Sequence, residues 1–567
     1  MKKENMIDCL LVGHNEMDFA EYEKSIRDMG LNTGAYRDLN LNFINYNSRP
    51  YTLPEIFNIF HYQDFDRKNG TAPFFHVAES FSAAIAYLGS YLHRHGYTFD
   101  YVNAFQYSRV ELAEKLRKEN ILTIAIITTL YVSVFPIIEI IEFIKKNNPS
   151  VKIIVGGPFV STKARTLSPD ELKFLFQITI GADFYVDSSQ GEGALIKIIN
   201  AVKNNLPLDD IPNIHYKLGD NLKATPVLKE NNMLSANMVN WSLFKENVHH
   251  YANVRTSISC PFSCSFCGFP QHAGQYQVMP VEAIEAELIK LDKIGTVKNV
   301  HFIDDTFNIP IDRFKEIMRM IIKNKFGFKW HSYFRCQFAD KETLELMNMA
   351  GCEGVFLGLE SGNDQILKNM NKAVDVEKYL RGLKLLKEYE IITFGNFIIG
   401  FPGETEETVK DTANFIQNSG LDFFRAQLWY CEPITPIFKE KDLYHIKGES
   451  FEWSHSTMNA QTACDLIENI FSTIENPTWI PQYNCDFDSI WHFVHRDVSI
   501  PQVKNLLKHF NFAVNEKLIS GPSHGEVSYK VLKQLKDACL NFKINPGEIN
   551  DADTNTFINP GEVEFNF

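Results

Sequence analysis

The sequence has no excess of positive charge. Among 567 residues, 56 Lys and Arg stand against 70 Asp and Glu, a net charge of −14, whereas a large nucleic-acid footprint needs a basic face. A membrane span is missing too: the most apolar run, residues 121–144, is interrupted by Pro136, Glu139 and Glu142 and suits a buried strand followed by an amphipathic helix. Residues 1–8 are polar and charged, without the apolar core of a signal peptide. Low-complexity tracts are absent. So are the paired cysteines of a secreted scaffold, because seven of the ten, Cys9, Cys336, Cys352, Cys431, Cys464, Cys485 and Cys539, are scattered singly, as buried small hydrophobes are. These absences leave a chain of two or three domains in a reducing, cytoplasmic setting as the expectation.

What the chain does carry is concentrated in residues 259–268. Cys260, Cys264 and Cys267 are spaced C-x3-C-x2-C, with Phe266 just before the last and Gly268 just after. Three thiolates can hold three corners of a cubane iron-sulfur cluster, and because such clusters normally take four, one iron stays open to a small ligand. A structural zinc site is the alternative, with His272 as fourth ligand in C-x3-C-x2-C-x4-H, although structural zinc cysteines more often come as two spaced pairs. A disulfide reading is weaker, since three cysteines within eight residues cannot pair evenly. The loop resembles the cluster-binding loop of the radical S-adenosylmethionine (SAM) enzymes, in which the amino and carboxylate groups of SAM's methionine moiety chelate the open iron.

Ahead of the loop, strands are expected at residues 7–12, 99–103, 121–127, 151–155 and 177–180, alternating with helices near 81–95, 110–118, 134–146 and 193–202. That alternation predicts an α/β, doubly wound (Rossmann-like) domain over residues 1–228 with its ligand at the carboxyl ends of parallel strands. Residues 31–75 lack clean periodicity and read as an excursion packed on this domain. Residues 209–227 read as a hairpin around Gly219-Asp220, and 229–250 as a polar interdomain linker. The arrangement resembles the cobalamin-binding domain that precedes the catalytic domain in one branch of radical SAM enzymes. The matching features are Thr128-Thr129-Leu130 with Ser133, the Gly156-Gly157-Pro158 turn, and Gly191-Glu192 at the last helix. The resemblance implies that Thr128, Thr129, Ser133, Gly156, Gly157, Gly191 and Glu192 contact cobalamin. The Asp-x-His-x-x-Gly motif that supplies a lower cobalt ligand in the best-known form is absent, which implies a cobalt without a protein imidazole below; His14 and His76 are the candidates to substitute.

From residue 251 the βα alternation resumes, with strands expected at 254–258, 300–303, 329–334, 354–359, 393–399 and 423–429. Six repeats predict a partial (β/α)6 barrel of the TIM type over 251–438, whose active groups sit at strand carboxyl ends. Each polar cluster falls there. By resemblance, Phe266, Gly268, Asp304, Asp305, Arg335, Glu360, Ser361, Gly400, Pro402 and Gly403 form the SAM site: carboxylates for its ammonium, Arg335 for its carboxylate, and a glycine turn for its adenine. As single residues, Asp305 and Glu404 also suit helix capping. Residues 439–567 are expected to be mainly helical, with Trp453, Trp479, Trp491, His455, His492 and His495 forming that region's own core or a cap over the barrel mouth.

The resemblance implies a cobalamin-dependent radical SAM methyltransferase, acting on an unactivated carbon or a phosphinate phosphorus of a small-molecule or peptide biosynthetic substrate. The opening residues 8–16 and the segment 451–455 look most like a subgroup near the phosphinothricin P-methylase. Its cofactors would be a 4Fe-4S cluster, SAM and cobalamin, with a flavodoxin or ferredoxin as electron donor and neither nucleic acid nor membrane as partner. A relative that rearranges, cyclises or oxidises without methyl transfer, and a non-catalytic cobalamin sensor or carrier, are the alternatives. A methylthiotransferase is disfavoured, because its second cluster needs three cysteines and only Cys9 precedes Cys260.

Overall fold

A computed structural model describes residues 6–62, 80–129, 131, 133–483, 485–521 and 525–542. His76, Leu130 and the polar tail beyond residue 542 lie outside these residues.

The chain begins with β1 (Cys9–His14), makes an excursion holding the hairpin β2 (Phe43–Tyr46) and β3 (Arg49–Thr52), and returns as β4 (Phe99–Ala104), β5 (Thr123–Ile127), β6 (Lys152–Gly156) and β7 (Phe184–Val186). β4-β1-β5-β6-β7 pair in that order, all parallel, and the hairpin β8 (Ile214–Leu218) and β9 (Asn221–Ala224) adds two antiparallel strands at the β7 edge. Leu10, Leu11, Val12, Ile124, Ile126 and Val155 are buried; such continuous apolar runs are what a sheet covered on both faces requires. This is the doubly wound sheet the alternation predicted, with its hairpin. One strand is misplaced in that prediction. Residues 177–180 belong to a π-helix, Phe174–Ile180, that ends at left-handed Gly181 (φ 69°), and the strand is the following apolar run. FLFQITI alternates Gln177 and Thr179 with apolar residues but opens on an unbroken apolar run, so periodicity does not separate the two outcomes. A tertiary contact decides: Phe176 stacks on Tyr185 at 4.0 Å, and the Tyr185 hydroxyl donates to the Phe176 carbonyl.

The second sheet comprises β10 (Tyr251–Val254), β13 (Asn299–Phe302), β14 (Lys329–Tyr333), β15 (Cys352–Glu360), β16 (Ile392–Ile399), β17 (Phe423–Leu428) and β20 (Thr478–Trp479), parallel and in chain order. Beside it lie two short antiparallel pairs, β11 (Ser257–Ile258) with β12 (Gln277–Val278), and β18 (Lys447–Glu449) with β19 (Glu452–Ser454). Five of the six expected βα strands are present near their expected positions; the first lies at Tyr251–Val254, ahead of the expected 254–258, whose last two residues form β11 outside the sheet, and the C-terminal region extends the sheet by a further strand.

The structure corrects three further expectations. The polar segment 229–250, expected as an interdomain linker, is packed: Trp241, Phe244 and Val248 are buried, and Trp241 Nε1 donates to Glu287 at 3.2 Å. The excursion packs on the C-terminal region as well as on its own domain, with Lys517 Nζ donating to the carbonyls of Asn40 and Phe43 at 2.6 and 2.7 Å and Phe57 against Phe493 at 5.2 Å. Finally, the helix Phe487–Val494 is neither a separate core nor a cap over the mouth. It enters the concave face of the barrel sheet at the amino ends of the strands, where Trp491 stacks on His331 at 5.3 Å and lies where a Cβ on Gly354 would stand, 2.4 Å away. This helix floors the barrel, and a single apolar core therefore runs from β1 through the barrel to the C-terminal helices.

Candidate active site

Side chains alternate along a strand, so each barrel strand sends one set to the outer helices and the other to the lumen, and its carboxyl end opens into a loop at the mouth. The cysteine loop starts there. Ser259, left-handed at φ 65°, turns the chain out of β11, whose pairing with β12 pinches the loop's base. The loop is strapped from two sides: Ser265 N donates to Met370 O and Ile437 N to Ser265 O, both at 2.9 Å, while Ser265 Oγ reaches Asn369 O at 3.0 Å.

All three thiols are free. Arg335 Nη2 donates to Cys264 Sγ at 3.3 Å with its guanidinium over the Phe262 ring at 3.5 Å, and Thr306 Oγ1 lies 3.4 Å from Cys260 Sγ. Burial pushes the Cys267 thiol up to about 12, so a metal must displace that proton. A cationic donor on one sulfur and a hydroxyl beside another favour bound thiolates. Among the described residues, the only His, Cys, Asp or Glu groups gathered within 4.8 Å around a single ion are His301, His331 and Asp488. The three cysteine sulfurs do not all lie within 4.8 Å of one another, wider than the roughly 3.8 Å edge of a tetrahedral Zn–S site. His272, the candidate fourth zinc ligand, has its Nε2 3.3 Å from Thr162 Oγ1.

The carboxylates at the strand ends divide into different jobs. Asp304 is buried and accepts from the backbone N–H of Thr256 and Ser257 at 2.7 and 2.8 Å and from the Thr256 hydroxyl; it clamps the strand that leads into the cysteine loop. Asp305 opens into the mouth, and desolvation by the surrounding walls, then the charge of Asp304, pushes its carboxyl up to about 7. Glu360, left-handed at φ 68°, accepts from Lys372 Nζ at 2.9 Å in a buried ion pair. Lys372, whose ammonium also lies 5.4 Å from the Phe266 ring, is a neighbour of the expected site that carried no signal in the sequence. It stands after a helix rather than at a strand end, and only the fold brings it across. Ser361 is fully buried, with its hydroxyl 3.2 Å from Thr412 Oγ1 and accepting from Asn363 N, so it braces strand to helix.

The glycine turn is built for close approach. Gly400 and Gly403 have φ of 92° and 91°, and Cβ atoms there would stand 2.3 Å from the Trp453 ring and 2.6 Å from Asn369 Nδ2. Gly400 N donates to Glu404 Oε2 at 2.5 Å. Burial pushes Glu404 up to about 8, and its Oε1 has no partner. Pro402 O faces Asn369 Nδ2 at 3.5 Å, which ties the turn back to the cysteine loop. Gly268 permits a similar approach: a Cβ there would be 2.9 Å from Ile434 and 3.1 Å from Glu432 Oε2. Neither of these neighbours carried a signal in the sequence.

On the first sheet, Thr128, Gly156 and Gly157 come together at the adjacent ends of β5 and β6. Thr128 Oγ1 donates to Gly156 O at 3.0 Å, and left-handed Gly157 (φ 119°) leaves the space in which a Cβ would crowd that hydroxyl at 2.7 Å. Thr129 is exposed and Ser133 partly so at the same edge. Gly191, also left-handed (φ 75°), starts the helix Glu192–Asn204 beyond β7. Glu192 is turned inward, accepting from Asn232 Nδ2 at 3.0 Å, and burial pushes it up to about 7. His14, at the end of β1, stacks on Tyr131 at 5.6 Å, and burial lowers its pKa to about 4. The helix Pro158–Thr166, rooted in the Gly157 turn, lies against the helix Phe269–Ala273 that leaves the cysteine loop. Arg165 Nη1 donates to Gln271 O there at 2.6 Å.

Comparison with known proteins agrees with this geometry. Residues 254–416 match the radical SAM superfamily. The chain is 26% identical over 305 residues to an uncharacterised methyltransferase of Pyrococcus horikoshii, covering 52% of this chain and 64% of that one. It is 25% identical to the anaerobic magnesium-protoporphyrin IX monomethyl ester cyclase of Rubrivivax gelatinosus, covering 63% and 66%. It thus spans just under two thirds of these relatives' lengths. In fold it is similar to the radical S-adenosylmethionine methyltransferase TsrM of Kitasatospora setae, solved with cobalamin and a [4Fe-4S] cluster bound, with a TM-score of 0.53 and 17% identity over 65% of this chain and 72% of that one. Residues 254–416, which hold the three-cysteine loop, are thus similar to the radical SAM superfamily.

Proposed function

We propose that this protein is a cobalamin-dependent radical SAM methyltransferase. The observation that carries the reading is the contact between the helix rooted in the Gly157 turn and the helix that leaves the cysteine loop: it joins the ligand edge of the doubly wound sheet to the mouth of the barrel. When bound, the cluster with SAM would supply a radical by reductive cleavage, and cobalamin a transferable methyl group.

The chain's own residues supply placement. Cys260, Cys264 and Cys267 hold the cluster, and Arg335 and Thr306 hydrogen-bond to two of their sulfurs. Asp304 fixes the loop's approach. Asp305, Arg335, Glu360 with Lys372, Phe266 and the Gly268 and Gly400-Pro402-Gly403 approaches form the SAM surface, while Ser361 acts behind it. On the first domain, Thr129, Ser133 and the Gly156-Gly157 and Gly191 turns form the corrin edge, with Thr128 shaping the turn and Glu192 bracing it from within. The floor helix closes the amino end of the barrel and excludes water from beneath.

Methyl transfer is favoured over ring closure by the Pyrococcus relative, which is named a methyltransferase; the cyclase relative is the reason to test it. Anaerobic reconstitution with iron, sulfide, cobalamin and SAM should yield 5′-deoxyadenosine and a product heavier by one methyl group. 5′-Deoxyadenosine with a product lacking that gain would leave the radical chemistry and remove the transferase. Zinc without iron in anaerobically purified protein would remove both.

A further inference from the structure

On the concave face of the barrel, where the floor helix begins, a carboxylate and two imidazoles meet with more chemistry than packing requires. Asp488 Oδ1 lies 3.0 Å from His331 Nε2, and its Oδ2 lies 3.3 Å from His301 Nδ1. His331 is fully buried and its Nε2 is satisfied twice, with the Tyr251 hydroxyl also at 2.7 Å. His301 is only 4% exposed, and its Nδ1 has no partner besides Asp488 Oδ2. The Asp488 side chain, in contrast, keeps 26% of its surface exposed. Tyr333, Phe356, Phe394 and Phe487 form a chain of ring contacts beside it. Arg425 does not neutralise the group, because it donates to the carbonyls of Ile480, Pro481 and Cys485.

A metal ion is a poor occupant. The His301 and His331 rings stack at 4.5 Å with only 18° between their planes, and imidazoles bind metals through in-plane lone pairs, which nearly parallel rings cannot bring to one point. An ammonium group fits better. With its proton on Nε2, His301 offers Nδ1 as an acceptor 3.3 Å from Asp488 Oδ2, two such atoms can share one cationic nitrogen, and aromatic rings favour a desolvated cation.

We propose that the barrel floor binds a protonated amine of the substrate, whose N–H groups donate to Asp488 Oδ2 and His301 Nδ1. This names the substrate class for the methyl transfer proposed above, an amine-bearing small molecule or side chain, and it rests on that reading only for calling the ligand a substrate. The test uses the full chain without reconstitution, so its outcome is independent of the radical chemistry. Ligand-observed NMR would measure binding of butylammonium against butanol. Butylammonium should bind roughly tenfold or more tightly, Asp488→Asn should abolish the preference, and His301→Gln should reduce it several-fold. Equal affinity of the wild-type protein for the two probes would overturn the proposal even if a variant failed to fold. So would a preference that persists in folded D488N, or one equivalent of zinc or ferrous ion bound in equilibrium dialysis and lost in that variant.

Discussion

The mouth and the floor of the barrel are built in opposite ways. At the mouth, the groups that matter come from consecutive strand ends, so they appear along the chain in the order in which they stand around the barrel. The floor joins His301 and His331, in the middle of two strands, to Asp488 and Trp491 on a helix more than 150 residues later. A mouth made of loops can change its chemistry without disturbing the core, whereas a floor made of core residues couples binding to stability.

The sharpest separation should come from one variant of each. Cys264→Ala should abolish 5′-deoxyadenosine formation and lower the bound iron, while denaturant unfolding of the apoprotein stays within about 1 kcal/mol of wild type; a variant that keeps full iron and activity would break the distinction. Trp491→Ala should do the reverse, costing about 3–5 kcal/mol of stability with iron content per folded molecule unchanged. Lys372→Met sits between the two, because it strands the buried Glu360 carboxylate. A loss of about 3 kcal/mol together with weaker SAM binding by calorimetry is expected, and a loss of stability alone would place the pair in the core and not in the site.

A smaller effect concerns pH. Burial raises Glu404 to about 8 when folded, above its unfolded value of about 4.3, so the native state holds a proton that the unfolded chain releases. Its contribution to stability is therefore complete below about pH 4 and is lost as pH rises through 8, a change of a few kcal/mol. Glu404→Gln should flatten this slope in urea titrations between pH 5 and 8; an unchanged slope would mean that the carboxyl is ionised in the native state. The smallest effect is expected at the contact between domains. Arg165→Ala should cost less than about 1 kcal/mol in stability. Its informative readout is the spectrum of added cobalamin, which should change only if the contact positions the first domain over the barrel.

Much of this could be read in advance, for a physical reason. Cys260, Cys264 and Cys267 lie within one loop, so their spacing alone states the geometry. Asp304, Arg335, Glu360 and Gly400 follow apolar strand runs, so periodicity places them at the mouth. Their division of labour was not readable: that Asp304 clamps Thr256 and Ser257, or that Ser361 spends its hydroxyl on Thr412, depends on contacts between segments tens of residues apart. The π-helix at Phe174–Ile180 was missed because its second half, Gln177 to Ile180, alternates polar and apolar residues as a strand does. The packed linker was missed because Trp241 and Phe244 are isolated apolar residues in a polar stretch.

The sequence by itself determined the two βα series, the positions of their turns and the three-sulfur loop, since each depends on local periodicity, turn chemistry or short spacing. Only the tertiary structure decided which elements meet at the barrel floor: residues 18–62 pack on the helices Phe487–Val494 and Ile500–Ser520, from the opposite end of the chain. Burial of apolar surface is indifferent to sequence separation, so these partners, and the Asp488–His301–His331 group they enclose, could be identified only in the folded chain.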